Sequence, residues 1–411
     1  MFDKTILVIG TYDTKNDELH YISDRITSMG GRTLTMDVSV LGNPQKKTHL
    51  TKHDVAAAAG KSIEEAIDSG SEHIAMNIMS TGASKLANQL YLNNKFDGVI
   101  ILGGTMGTDL ALDVCQSLPV GLPKYVVSTV SFSPIIPSER LSPDIQMILW
   151  AGGLFGLNSI CKSSLSQAAG AVLGAARAVE PPLNDKPIVG ITSLGTSCLK
   201  YITTLKPELE SRGYEVAIFH AMGMGGMAFE GIAAKNGFAC VMDFAGCEIG
   251  NFLYGSIVHA GEDRMLNAGR AGIPQIVAPG CMDLIDFAGW QIIPENFKDR
   301  HIHIHNKLIK STIFSKDERI EIAKDYNDRL GKSQAPVHLI VPNQGIEEWD
   351  RLGGDAYDPD GLNAFTNALK DTVSSSVKIT EIDAHINDTA FTNKALEIFD
   401  NWVLEGIVSK A

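Results

Sequence analysis

The chain is short of positive charge. Its 411 residues hold 35 lysines and arginines against 48 aspartates and glutamates, a formal net charge of −13. Nucleic-acid binding through a basic face is therefore not expected, because such binding rests on cations that displace counterions. The deficit does not exclude a small anion, since single loops can stay neutral or positive in an acidic chain. Long apolar runs are missing too. No stretch reaches the ~18 residues that span a bilayer, and the start, MFDKTILVIG, lacks a charged segment followed by a long apolar one. From these absences we expect a soluble cytoplasmic protein with no membrane partner. Cysteine is scarce: Cys115, Cys161, Cys198, Cys240, Cys247 and Cys281 include no CxxC pair and sit in apolar or glycine-rich surroundings. They read as reduced core thiols rather than a disulfide set.

What is present is ordinary for a globular protein with sizeable cores, 44% hydrophobic and 20% charged. The length favours two domains. TILVIG is a continuous apolar run, as in a strand covered on both faces. Thr14 and Asp17 then fit a capping box. Leu19, Ile22, Ile26 and Met29 recur at helical spacing until Gly30 and Gly31 stop the helix. RTLTMDVSV, FDGVIILGG and PKYVVSTVSFSP read as further strands, with helices in 54–70, 73–94 and 151–178. Residues 179–187, VEPPLNDKP, form the best linker. Beyond it the plan recurs: PIVGIT, YEVAIFHA, GFACVMDFA, PQIVAPG, PVHLIVPNQG and VKITEIDAH are strand-like. The alternation predicts an α/β protein of two Rossmann-like, doubly wound parallel-sheet domains, 1–180 and 187–411.

In such sheets ligands sit at the carboxyl ends of the strands. Four segments of the first half reach that edge with suitable chemistry: GTYDTK (10–15), DVSV (37–40), GGTMGT (103–108) and STVSFS (128–133). GGTMGT offers the amides of Gly103, Gly104, Thr105, Met106, Gly107 and Thr108 at the start of a helix, where an anion is favoured. The spacing is neither the Walker pattern nor GxGxxG, so it says phosphate without naming the nucleotide. Lys15 could neutralise phosphate, Thr11 and Thr14 could donate, and Asp13 could hold Mg²⁺ or a hydroxyl. Asp37, about twenty residues on, stands where an acid often meets a ribose. Thr129 and Ser131 are rim donors.

In the second half GITSLGTS (190–197) lacks the lysine of a P-loop, and HAMGMGGMAFEG (220–231) could cradle an anionic or carbonyl group. His301, His303 and His305 share a face if HIHIHN is extended. With Cys281, Asp283, Asp383 and His385 they make an alternative candidate, an acid–base or metal-assisted enzyme working in a cleft between domains. No HExxH spacing is present, so no metal is expected.

These segments together resemble a known family. GTYDTKNDELHYI, DGVIILGGTMGTDLALDV, WAGGLFGLNSICKSSLSQAAGAVLGAA, FHAMGMGGMAFE, APGCMDLIDF and EIDAHIND are similar to the bacterial and fungal ATP-binding-domain proteins related to the N-terminal inhibitory region of the tomato mosaic virus resistance protein of tomato. The resemblance spans essentially the whole chain. It implies two α/β subdomains, a homodimer or higher homo-oligomer, and ATP, with Mg²⁺, held mainly by the first subdomain. Carried onto this chain it points to Thr11, Asp13, Thr14, Lys15, Asp37, Gly103 through Thr108, and Thr129. It implies no catalytic activity. The plant protein's binding of a viral protein is not carried over. A third reading is an oligomeric interaction module in which ATP is structural.

Overall fold

The computed structural model describes residues 4–152, 156–180, 182 and 185–411. It divides into two compact units, 1–182 and 183–411. The linker expected over 179–187 and the glycine-rich start of the 151–178 segment lie partly outside the described residues.

Unit 1 is built on five parallel strands: β1 (Thr5–Gly10), β2 (Arg32–Asp37), β3 (Gly98–Gly103), β4 (Lys124–Ser128) and β5 (Ile145–Leu149). Their order is β2-β1-β3-β4-β5. Every residue of β3 and β4 is buried, as expected of strands covered on both faces. One apolar layer joins Leu7, Ile9, Val99, Ile101 and Val126 to the helices Lys52–Ala58, Glu72–Leu92 and Thr105–Ser117. The opposite layer joins Ile6, Val8, Ile100 and Val127 to the helices Asn16–Ser28 and Ser159–Ala178. The small residues of that last helix, Ala168, Ala169 and Ala176, let it lie close to the sheet.

Unit 2 carries six parallel strands: β6 (Ile188–Ser193), β7 (Glu215–His220), β8 (Cys240–Asp243), β9 (Gln275–Val277), β13 (Val337–Pro342) and β14 (Val377–Ile382). Between the last two pairs comes an antiparallel sheet of β10 (Leu284–Ala288), β11 (His303–Ile304) and β12 (Ile309–Ile313). The large sheet runs β14-β13-β9-β8-β6-β7 and the small one β10-β12-β11. Both units are thus doubly wound α/β layers. The antiparallel sheet and β5 were not foreseen.

Two local expectations need correcting. The helix after β1 starts at Asn16 with Lys15 as its cap and no side-chain cap bond, so Thr14 and Asp17 form no capping box. Thr14 Oγ1 instead meets Thr11 Oγ1 at 2.9 Å. HIHIHN is extended only over His303 and Ile304, so the three histidines do not line one strand face.

Candidate functional site

In unit 1 the strand order reverses between β1 and β3, because β2 lies to one side of β1 and β4 and β5 lie beyond β3. The loops leaving these two strands therefore diverge and leave a crevice at their carboxyl ends. The loop after β1 is Thr11–Lys15, and β3 runs through Gly103 and Gly104 into the helix Thr105–Ser117. A cavity of about 430 Å³ opens there. Thr11, Asp13, Thr14, Met106 and Gly107 line its polar end, and Val38, Val40, Leu41, Ala66, Ile67, Ala75 and Met76 form an apolar wall.

The sharp exit from β3 depends on glycine. A Cβ on Gly103 would lie 2.5 Å from Gly107 Cα, so the turn closes only if position 103 stays bare. Gly104 has space, its nearest neighbour being Thr129 Oγ1 at 3.8 Å from a built Cβ. Gly104 caps the following helix without a side-chain bond. The first amides of a helix have no intrahelical acceptor and the helix dipole favours an anion there; Met106 and Gly107 of this first turn line the cavity.

The sequence candidates separate into two groups. Thr11, Asp13, Thr14, Met106 and Gly107 line the cavity. Thr108 is 2% exposed; its hydroxyl bonds Gly104 O at 2.7 Å and meets Ser128 Oγ at 2.6 Å, so it braces the turn. Asp37 is 1% exposed and is also a brace. Its Oδ1 accepts from the amides of Tyr12 and Ser39 at 3.2 and 3.0 Å, and from Ser39 Oγ at 2.5 Å. Lys15 places its ammonium 3.4 Å from Thr14 O and is not among the lining residues.

The apolar wall is held by residues that periodicity does not single out. Lys52 is 5% exposed, and its ammonium donates to the carbonyls of Val40, Leu41 and Gly42 at 3.2, 3.5 and 2.7 Å. Asp13 Oδ2 accepts from Gly42 N at 3.1 Å, and Asp13 N donates to Ser39 Oγ at 3.1 Å. These bonds tie the loop after β1 to the loop after β2, and so join the two walls.

In unit 2 the chain occupies its own crevices. The GMGG turn does cradle an anion, but the anion is internal. Glu248 Oε1 accepts from Gly223 N at 2.6 Å and Gly226 N at 3.2 Å, while its Oε2 accepts from Arg264 Nε at 2.6 Å. Arg264, 1% exposed in its side chain, also pairs with Asp243 and Glu230. Three buried carboxyl groups share this one guanidinium, and burial pushes Glu230 up to about 7.

The expected cysteine, aspartate and histidine set is partly assembled and sealed. Cys281 and Cys198 lie with sulfurs 3.2 Å apart, both fully buried. Burial raises both thiols, which keeps them protonated and poor nucleophiles. His385 Nδ1 accepts from Asn387 N, so Nε2 carries the proton toward Asp350 Oδ1 at 3.0 Å. Burial raises Asp283 and, more strongly, Glu347. His303 lies 3.0 Å from Asp355, with its ring tilted against that of Trp349 at 4.5 Å between centroids. No group of three or more His, Cys, Asp or Glu suited to a metal occurs among the described residues.

Family models match both units. Residues 4–181 match the N-terminal domain and 186–403 the C-terminal domain of the uncharacterised protein family UPF0261. The chain belongs to the UPF0261 family. A family member from Brucella melitensis biotype 1 is 52% identical over 98% of this chain and 97% of its own length. One from Clostridium tetani is 34% identical over 95% and 96%. The ToMV resistance protein Tm-1(GCR237) of Solanum lycopersicum is 27% identical over 96% of this chain, which corresponds to 55% of the plant protein. A solved UDP-N-acetylglucosamine 2-epimerase aligns at 8% identity over 72% of this chain and 82% of its own, with a TM-score of 0.22, too low to bear on fold or function.

Proposed function

We propose that unit 1 binds a nucleotide, ATP with Mg²⁺, in the cavity between the ends of β1 and β3. One observation carries the reading: an apolar slot and a glycine-rich helix start face the same space. The slot of Val38, Val40, Leu41, Ile67, Ala75 and Met76 suits a flat base. The amides of Met106 and Gly107 suit phosphate oxygens. Thr11 and Thr14 add hydroxyls at the same end. The lining includes Asp13 and Glu72 but no Lys or Arg. A triphosphate would therefore bring its own counter-charge, which is the physical reason for including Mg²⁺.

The tomato relative is named for resistance to a virus, and that role is not extended to this chain. Six buried reduced thiols fit a cytoplasmic setting. A homodimer completes the reading. Thermal unfolding with Mg-ATP, with NAD and without ligand tests it. At 100 times Kd a ligand adds about 2.7 kcal/mol, and an ATP-specific rise is expected. Assay of the same sample for ADP then separates a binding site from a hydrolytic one. No rise with ATP sinks the reading.

A further inference from the structure

Two turns at one end of the antiparallel sheet of unit 2 carry large apolar side chains into solvent. Trp290 is 78% exposed, Ile292 89%, Ile304 73% and Leu308 79%. Trp290 and Ile292 follow β10, and Leu308 stands in the turn between β11 and β12. The two turns lie side by side. Ala288 pairs with Ile309 and Ile304 with Lys310, while Gly289 N donates to Leu308 O at 2.7 Å. Lys310 Nζ donates to Gln291 O at 2.6 Å and fastens the first turn to the second. A side chain set in a groove loses much of its surface to the walls, so exposures this high describe a convex knob. Contiguous apolar surface of this kind marks an interaction site.

The charges on the knob say which partner it fits. The ion pairs of the neighbouring segment lie off the turns. Lys298 pairs with Glu295, and Arg300 pairs with Glu318 at 2.6 Å beside Ile313, at the other end of β12. Asp355 borders the knob on the His303 side, 3.0 Å from that imidazole. Lys307 and Lys310 belong to the turns themselves. Lys307 is exposed next to Leu308, and Lys310 stands opposite Ile304. Neither has an ion-pair partner among the described residues, so the tips are apolar and cationic on a chain of net charge −13. A second copy would set these two lysines against their own images, and a convex knob offers an acidic peptide no groove. An anionic bilayer surface meets both features. Its headgroups attract lysines, and its acyl boundary takes apolar side chains, tryptophan among the most favoured. The expectation of no membrane partner rests on missing spans, which say nothing of a surface that only touches a bilayer. No helix among the described residues is long and apolar enough to cross one.

We propose that these two turns dock the chain reversibly on an anionic phospholipid surface. Trp290, Ile292, Ile304 and Leu308 enter the headgroup–acyl boundary, and Lys307 and Lys310 lie among the phosphates.

Sedimentation of the full chain with vesicles of phosphatidylcholine, with and without an equal part of phosphatidylglycerol, tests this. Binding to the anionic vesicles is expected to exceed that to phosphatidylcholine alone and to fall as salt is raised. Trp290→Ser and Leu308→Ser are each expected to weaken it by ~10-fold or more, and Lys307→Gln by ~5-fold. All three side chains are exposed, so melting temperatures should not change. The chain has four tryptophans. Their emission should shift to the blue on anionic vesicles, and Trp290→Phe should remove that shift. A wild type left in the supernatant with anionic vesicles, as monomer or as dimer, overturns the proposal. So does equal binding to both kinds of vesicle, or binding that both serine variants keep in full.

Discussion

At the scale of single residues, two glycines of one loop have different jobs. Gly103 is where the backbone must pass close to Gly107, and Gly104 is where it must only stay accessible. Gly103→Ala is expected to destabilise unit 1 by about 1–3 kcal/mol, since its Cβ would meet backbone rather than a side chain that can move. Gly104→Ala is expected to leave the melting temperature within the usual surface range of about ±0.5 kcal/mol. Thermal unfolding of the two variants side by side decides this. Glu248 shows what residue-level reading cannot reach. GMGG is legible as an anion cradle, but its anion lies on the helix Cys247–Leu253, more than twenty residues on. Nothing in local spacing separates an internal carboxylate from a ligand.

At the scale of elements, the cavity is a product of loops that other elements hold in place. Lys52 fastens the loop after β2 from the start of the next helix, whose Thr51–Asp54 capping box fixes its own position. Lys52→Met would leave three carbonyls without their donor. We expect a loss of about 1–3 kcal/mol, faster hydrogen exchange over residues 38–42, and nucleotide affinity lower by ~10-fold. Unchanged exchange in that loop would show that the clamp is not needed.

The strand ends GTYDTK and GGTMGT were legible because strong apolar runs stop there at glycine and polar residues. The apolar wall was not. Ala66, Ile67, Ala75 and Met76 come from the helices Ile63–Asp68 and Glu72–Leu92, and only the fold brings them to the loop. β5 escaped notice because IQMIL is half-exposed, and the antiparallel strands because IKSTI mixes polar and apolar residues. Asp37 was legible as important but not in its role. A carboxylate at the end of β2 reads the same whether it faces a ribose or ties down a loop.

At the scale of the whole molecule, the two units divide their charged residues differently. Unit 2 buries carboxyl groups whose folded affinity for protons is raised: Glu230, Asp283 and Glu347. Such a group holds its proton in the folded chain and releases it on unfolding. Its contribution is present below the unfolded value and is lost as pH rises through the folded one. For Glu230 the window runs from 4.5 to about 7, at up to about 1.4 kcal/mol for each pH unit. Unit 2 is therefore expected to lose stability on going from mildly acidic to neutral pH. Glu230→Gln should flatten that slope, which urea denaturation across the window would measure. An unchanged slope would show that Glu230 is ionised in the folded state.

The central claim is that the β1–β3 crevice holds a nucleotide by its phosphates. Calorimetric titration of Mg-ATP into the wild type and into Gly104→Glu tests it most directly. A Cβ at Gly104 meets only Thr129 Oγ1, at 3.8 Å, and a carboxylate at this helix start is expected to repel phosphate. The account predicts one site per wild-type chain and binding at least ~10-fold weaker in the variant, a coupling of about 1.4 kcal/mol, with the same melting temperature. No heat in the wild type, or equal affinity in both chains, would contradict it.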